Sequence, residues 1–157
     1  MARISLTPRL ATTALALALI LSLAFPAYCE VSLDQASRDR AAILGEPFSH
    51  LKDELERSFP REEALESWAN KIAAQYPSVW YILVANYENK LVFSFYRESA
   101  RQYASHLQDA FRAISKFTMK EGAANREVGG HHLFVTREKL VIEMDTYYFE
   151  FGFGPIR

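Results

Sequence analysis

The sequence contains one cysteine, Cys29, and none from residue 30 to residue 157. An intramolecular disulfide is therefore excluded, and no cysteine nucleophile is available in that part of the chain. No serine lies in a GxSxG setting, and Gly129-Gly130 precedes a predicted strand instead of opening a helix as a phosphate-binding loop does. These absences argue against several enzyme classes and favour a role in protein association over one in catalysis.

The chain has no excess of positive charge, since 18 Lys and Arg residues stand against 19 Asp and Glu residues and the formal net charge is -1. Nucleic-acid-binding proteins normally have a basic surface, so the sequence predicts no nucleic-acid partner. Apolar residues are abundant instead: 50% of the 157 residues are hydrophobic and 13% are aromatic, outside the range of disordered chains. The length suits one domain with one core once the first segment is set aside.

Residues 1–29 have the pattern of a secretory signal peptide. Arg3 and Arg9 form a basic start, the sequence ALALALILSLAF is the apolar centre, and Pro26-Ala27 is a helix-breaking end with a small residue. The sequence therefore predicts export to the periplasm or the extracellular space. The alternative is an uncleaved N-terminal membrane anchor, and no membrane contact beyond this segment is predicted.

The cleavage point is predicted from the small residues that precede it. A cut before Glu30 is preferred because Ala27 and Cys29 occupy the two positions that the peptidase inspects. A cut before Phe25 is the alternative. Lipid attachment at Cys29 is disfavoured, because bulky Tyr28 stands where lipoprotein signals carry a small residue.

Residues 30–58 are predicted to form a helical N-terminal arm. Phe48, Leu51 and Leu55 lie at helical spacing, Pro47 is tolerated in a first turn, and Gly45 separates this helix from a looser preceding one. The arm either docks on a partner or packs on its own domain, and the second interpretation is preferred.

Residues 59–157 are predicted to form an α+β domain that begins with a helix from Pro60 to Pro77. This helix has an apolar stripe centred on Trp68. A β-hairpin follows, with its turn at Glu88-Asn89. Strict alternation divides the side chains of each strand between two faces. In the first strand it opposes Trp80, Ile82 and Val84 to Val79, Tyr81, Leu83 and Ala85. In the second strand it opposes Leu91, Phe93 and Phe95 to Val92, Ser94 and Tyr96.

Ser99 and Gln102 form a capping-box pattern, which predicts a helix from there to about Met119–Gly122. GAANREVGG is predicted to be an exposed loop. Three strands should follow, at His132–Thr136, Lys139–Met144 and Thr146–Phe153, with turns at residues 137–138 and 144–145. The last strand should place Tyr147, Phe149, Phe151 and Phe153 on one face and Tyr148 and Glu150 on the other.

The predicted fold class is α+β: an antiparallel five-stranded sheet flanked by helices, in the order α-α-β-β-α-β-β-β after the signal peptide. From Pro60 to Phe153, the hairpin VWYILVANYENKLVFSF, the helix with QYASHL and the strand series HLFVTREKLVIEMDTYYFEFGF resemble the roadblock branch of profilin-like folds. The resemblance implies pairing through the sheet and the central helix, with no catalytic residues. PAS-like and Cache-like sensor domains share a helix-flanked antiparallel sheet.

The histidines are the main candidates for catalytic or metal-binding residues. His131 and His132 could act with Glu143 and Asp145 if the last strands form a meander. Adjacent strand residues point to opposite faces, so the two imidazoles cannot easily share an ion, and His106 lies near the border of its helix face. The sequence therefore predicts no catalytic residue, no metal site and no cofactor. A His-based hydrolase or metal enzyme is the weakest alternative.

The predicted function depends on the hairpin, which is apolar on both faces and needs more cover than one helix gives. The preferred hypothesis is an exported, non-enzymatic domain that associates with a second copy of itself or with another protein. The alternative is a sensor or carrier domain with an apolar ligand pocket. The predicted interaction or pocket surface consists of Trp80, Tyr81, Phe93, Phe95, Tyr148, Phe149 and Phe151.

Overall fold

A computed structural model describes residues 30–113, 122–143 and 145–157. The predicted signal peptide, with its cleavage points, lies outside these residues. The helices are α1 (Leu33–Leu44), α2 (Glu46–Arg57), α3 (Arg61–Gln75), a 3₁₀ helix (Glu98–Tyr103) and α4 (Ala104–Arg112). The strands are β1 (Val79–Asn86), β2 (Leu91–Tyr96), β3 (Gly122–Val128), β4 (His131–Ile142) and β5 (Asp145–Ile156).

The five strands form one antiparallel sheet in the order β2-β1-β5-β4-β3. The predicted α+β class is confirmed. β1, β5 and β4 are interior strands, whereas β2 and β3 are the edges. The interior position of β1 explains why its sequence is apolar on both faces. No helix among the described residues is long and apolar enough to cross a bilayer.

Helices α1 to α3 cover one face of the sheet, called here the α1–α3 face. Gly45 separates α1 from α2, and α3 begins directly after Pro60, as predicted. Ile43 of α1 and Leu55 of α2 are fully buried in the same cluster as Trp68 of α3. The N-terminal arm therefore packs on the sheet of its own chain.

The 3₁₀ helix and α4 lie on the opposite face, called here the α4 face, where Ala100, Leu107 and Phe111 are buried against the sheet. The predicted capping box is wrong, because α4 begins at Ala104 with no side-chain cap. Ser99 Oγ instead accepts a hydrogen bond from Trp80 Nε1 at 2.7 Å. The predicted continuation of the helix beyond Ala113 lies outside the described residues.

Two β-bulges change the predicted faces of the hairpin. Val79 pairs with Phe153 and Tyr81 with Gly152, so Trp80 is an extra residue and lies with Tyr81 on the α4 face. Val92 is extra in β2 in the same way. As a consequence, Val79 and Val92 join the cluster on the α1–α3 face, and Leu91 joins the one on the α4 face. Strict alternation is wrong at these positions.

The predicted loop GAANREVGG is wrong, because residues 122–128 form β3, which pairs with β4 over its whole length. The predicted turn at Arg137-Glu138 is also wrong, since both residues lie inside β4. Partners on each face hold them in the strand: Glu150 accepts from Arg137, and Glu138 accepts from Arg40 of α1. β4 ends at Ile142 and β5 begins at Asp145, and the predicted faces of β5 are confirmed.

Candidate interaction surface

The seven residues predicted as an interaction surface divide into two groups. Trp80, Tyr81, Phe149 and Phe151 are at most 1% exposed, because α1 to α4 and the 3₁₀ helix cover both faces of the inner strands. These four are core residues and cannot contact a partner. Phe93, Phe95 and Tyr148 keep partial exposure, and both phenylalanines lie on β2.

The aromatic side chains on the α1–α3 face fill space instead of lining a pocket. Phe48 of α2 meets Phe149 edge to face at 5.2 Å between ring centroids, and Trp68 meets Phe149 and Phe151 at 6.3 and 6.0 Å. Phe149 and Phe151 stack at 5.9 Å. Such contact distances are those of packed aromatic pairs, so this part of the predicted pocket is core.

The outer side of β2 is one of the two free backbone edges of the described sheet. Arg97 N donates to Trp80 O at 2.8 Å, and amides alternate in direction along a strand. The amides of Phe95 and Phe93 therefore face β1, whereas those of Ser94 and Tyr96 face away from the sheet. No described strand pairs with that side.

An apolar groove adjoins β2 on the α1–α3 face. It has a volume of about 330 Å³ and is lined mainly by apolar side chains, with Arg61 and Glu62 also at its wall; the apolar residues are Phe59, Pro60, Leu65, Val92 and Tyr147. Phe59 is 77% exposed, the largest exposed fraction among the large hydrophobic side chains described. Its ring stacks on the guanidinium of Arg61, 4.8 Å from the ring centroid.

The histidines and carboxylates that were considered for a hydrolase or metal enzyme do not lie together in the structure. His131 contacts the rings of Trp80 and Tyr103 at the end of β4 where the strand begins. Glu143 and Asp145 lie beyond the other end of β4, where both pair with Arg61. His132 and His106 are exposed. Among the described residues, no group of three or more His, Cys, Asp or Glu side chains could hold a metal ion.

One buried charged cluster escaped the sequence analysis. Glu150 of β5 is fully buried on the α4 face and accepts hydrogen bonds from Tyr81 at 2.8 Å, from Arg126 at 2.5 and 3.0 Å, and from Arg137 at 2.9 Å. Burial and the Glu150 carboxylate raise the pKa of Tyr81 well above 10.0. The cluster ties β1, β3 and β4 to β5. A single acidic residue in the aromatic run YYFEFGF is the signal that could have indicated it.

The chain was also compared with known proteins. No protein-family model matches it, and no curated protein matches it with significant similarity.

Proposed function

We propose that this protein is an exported, non-enzymatic association domain, and that it associates by adding a strand to the outer edge of β2. The observation that carries the proposal is the composition of that edge. β2 reads LVFSFY, with no charge and no proline, and five of its six side chains are only partly buried. An edge of this kind is a template for pairing with another strand.

The other edge of the sheet has the features that prevent such pairing. β3 carries the charged residues Arg126 and Glu127, starts at Gly122, and is mostly exposed. Charges on an edge strand oppose the approach of a second strand. The contrast between the two edges is the reason for assigning association to β2.

The faces of the sheet are not the proposed surface. β1 is apolar on both sides, but Tyr81, Leu83 and Val84 are at most 1% exposed within this one chain. The apolar side chains of β1 are therefore covered within this chain, whereas Phe93 and Phe95 of β2 remain partly exposed. The resemblance to roadblock domains, which implies pairing through the sheet, favours the same kind of contact.

The apolar groove extends the proposed surface beyond backbone pairing. It contains Val92 of β2, and Phe59 at its side exposes a large apolar ring. Aromatic side chains next to a groove are typical centres of binding energy in protein interfaces. Backbone bonds along β2 would supply affinity, and the groove would select the partner.

Sedimentation of the natively processed chain at micromolar concentration tests the proposal, and we expect a species larger than the monomer. Ser94→Pro should abolish it, because proline removes an outward amide and leaves the bonds to β1 intact. Ser94→Thr keeps the amide and the hydroxyl and should still associate. Circular dichroism shows whether the proline variant is folded. A wild-type chain that stays monomeric, or a folded proline variant that associates equally well, would contradict the proposal.

A further inference from the structure

We infer that the partner at the β2 edge is a second copy of this chain, bound antiparallel about a twofold axis through Ser94. The inference rests on the proposed function, because it requires β2 to be the associating surface. It adds the identity of the partner and the register of the contact. Both follow from which residues the symmetry places opposite each other.

Backbone direction limits the registers. In antiparallel pairing, residues whose amides face the partner must lie opposite residues whose amides also face it. On β2 these outward residues are Ser94 and Tyr96, as the bond from Arg97 N to Trp80 O shows. If most of the strand is to be paired, the twofold axis therefore passes through Phe93, Ser94 or Phe95.

An axis through Ser94 makes the strand complementary to itself. Phe93 of each copy then lies opposite Phe95 of the other, and both rings lie on the α1–α3 face, where they are only partly buried in the single chain. Directly opposed aromatic side chains stabilise a strand pair. The two Ser94 residues face each other and exchange their outward backbone hydrogen bonds.

Charge complementarity favours the same axis. Lys90 directly precedes β2, Glu98 lies two residues after it, and both side chains are exposed. Lys90 and Glu98 each lie four residues from Ser94, on opposite sides of the axis, so Lys90 of each copy comes near Glu98 of the other and the dimer gains two ion pairs. Among the described residues, Glu98 pairs with Arg101 of the same 3₁₀ helix at 3.3 Å, and both side chains are exposed, so Glu98 is accessible to a partner.

The two other axes are less favourable. An axis through Phe93 moves Glu98 opposite Glu88, which juxtaposes like charges at both ends of the contact. An axis through Phe95 moves Phe93 opposite Arg97. The guanidinium of Arg97 donates to Val79 O and to Ala73 O, each at 2.8 Å, so it is fixed within its own chain and cannot turn toward a new partner.

Charge reversal tests the register. Lys90→Glu and Glu98→Lys each replace an attractive charge pair by a repulsive one at both ends of the symmetric contact. Each variant should therefore raise the dimer dissociation constant by about tenfold at low salt. The double variant Lys90→Glu with Glu98→Lys should restore the dissociation constant to within about threefold of the wild-type value. Circular dichroism of each variant confirms that the change concerns association and not folding. A dimer that tolerates both single reversals would overturn the register.

Cross-linking gives a second test, because the chain has no thiol after Cys29. In a Cys29→Ser background, Ser94→Cys should form an intermolecular disulfide, since hydrogen-bonded strand partners have Cα atoms about 5.5 Å apart. Ala123→Cys on the opposite edge strand β3 should not. A Ser94→Cys dimer that forms without a cross-link, or an Ala123→Cys variant that does cross-link, refutes this inference and leaves association itself standing. A strictly monomeric wild-type chain refutes the proposed function as well.

Discussion

The ring of Tyr81 crosses β5 directly over Gly152. A β-carbon added to Gly152 would lie 2.0 Å from Tyr81 Cε1. The crossing carries the Tyr81 hydroxyl from β1 to Glu150 at 2.8 Å and to Arg126 of β3 at 3.0 Å. The absence of a side chain at one position of β5 is therefore what allows the buried cluster to join four strands.

Gly152→Ala should displace the Tyr81 ring and destabilise the fold. Overpacking of a dense core costs about 1–3 kcal/mol, and here the shift also loosens the hydrogen bonds to Glu150. Urea unfolding followed by circular dichroism measures the change. The control is the same substitution in a Tyr81→Leu background, which lacks the ring atoms that the added carbon meets, so Gly152→Ala should cost less there. An equal cost in the two backgrounds would show that the Tyr81 ring is not the source of the destabilisation.

The Tyr81 hydroxyl gives the fold a specific dependence on alkaline pH. In the unfolded chain the hydroxyl ionises near pH 10. In the folded chain, burial and the Glu150 carboxylate raise the pKa of Tyr81 well above that value. Below about pH 10 both states keep the proton, so the stabilisation is fully present. Above it only the folded state keeps the proton, and the free energy of unfolding falls by up to about 1.4 kcal/mol per pH unit until the folded pKa is reached.

Tyr81→Phe removes this dependence while keeping the ring over Gly152. The variant should be less stable than the wild type by about 1.5–3 kcal/mol at neutral pH, because hydrogen bonds to charged groups are lost. The difference should narrow above pH 10, where only the wild type loses this contribution. Urea unfolding at intervals from neutral pH to about pH 11 measures it. Parallel curves for the two proteins would contradict the assignment.

Patterns that depend on neighbours in the sequence were predicted well. Gly45 and Pro60 marked helix boundaries correctly, and the apolar stripe around Trp68 indicated the buried side of α3. The alternation of β5 gave the correct faces for Phe149 and Phe151. Each of these signals is contained within a few residues of chain, so no knowledge of the tertiary structure was needed.

Features that depend on the pairing of one strand with another were missed. The bulge at Trp80 exists because two residues of β1 lie opposite one residue of β5. The local sequence of β1 does not show how many residues of β5 will lie opposite it. β3 forms from small and polar residues because β4 lies beside it. Likewise, Glu150 meets Arg126 and Arg137 only once β3, β4 and β5 are in register. The same limit applies to the candidate surface, since only the strand order shows that β2 is an edge.

Because the ring of Phe59 is exposed, a substitution at this position can test association separately from stability. Phe59→Ser should lower the free energy of unfolding by no more than about 1 kcal/mol, because the ring is 77% exposed and its cation–π contact with Arg61 is also near the surface. It should weaken association at least about fivefold if the groove beside Val92 belongs to the interface, since truncating an interfacial anchor costs more than about 1 kcal/mol. Leu33→Ser is the matched control: Leu33 is 48% exposed at the start of α1, a helix whose main sheet contacts are with β4 and β5 and not with β2. Sedimentation of both variants beside their urea unfolding curves separates the two effects. If Phe59→Ser associates as the wild type does, the groove lies outside the interface, and the contact is confined to the β2 edge.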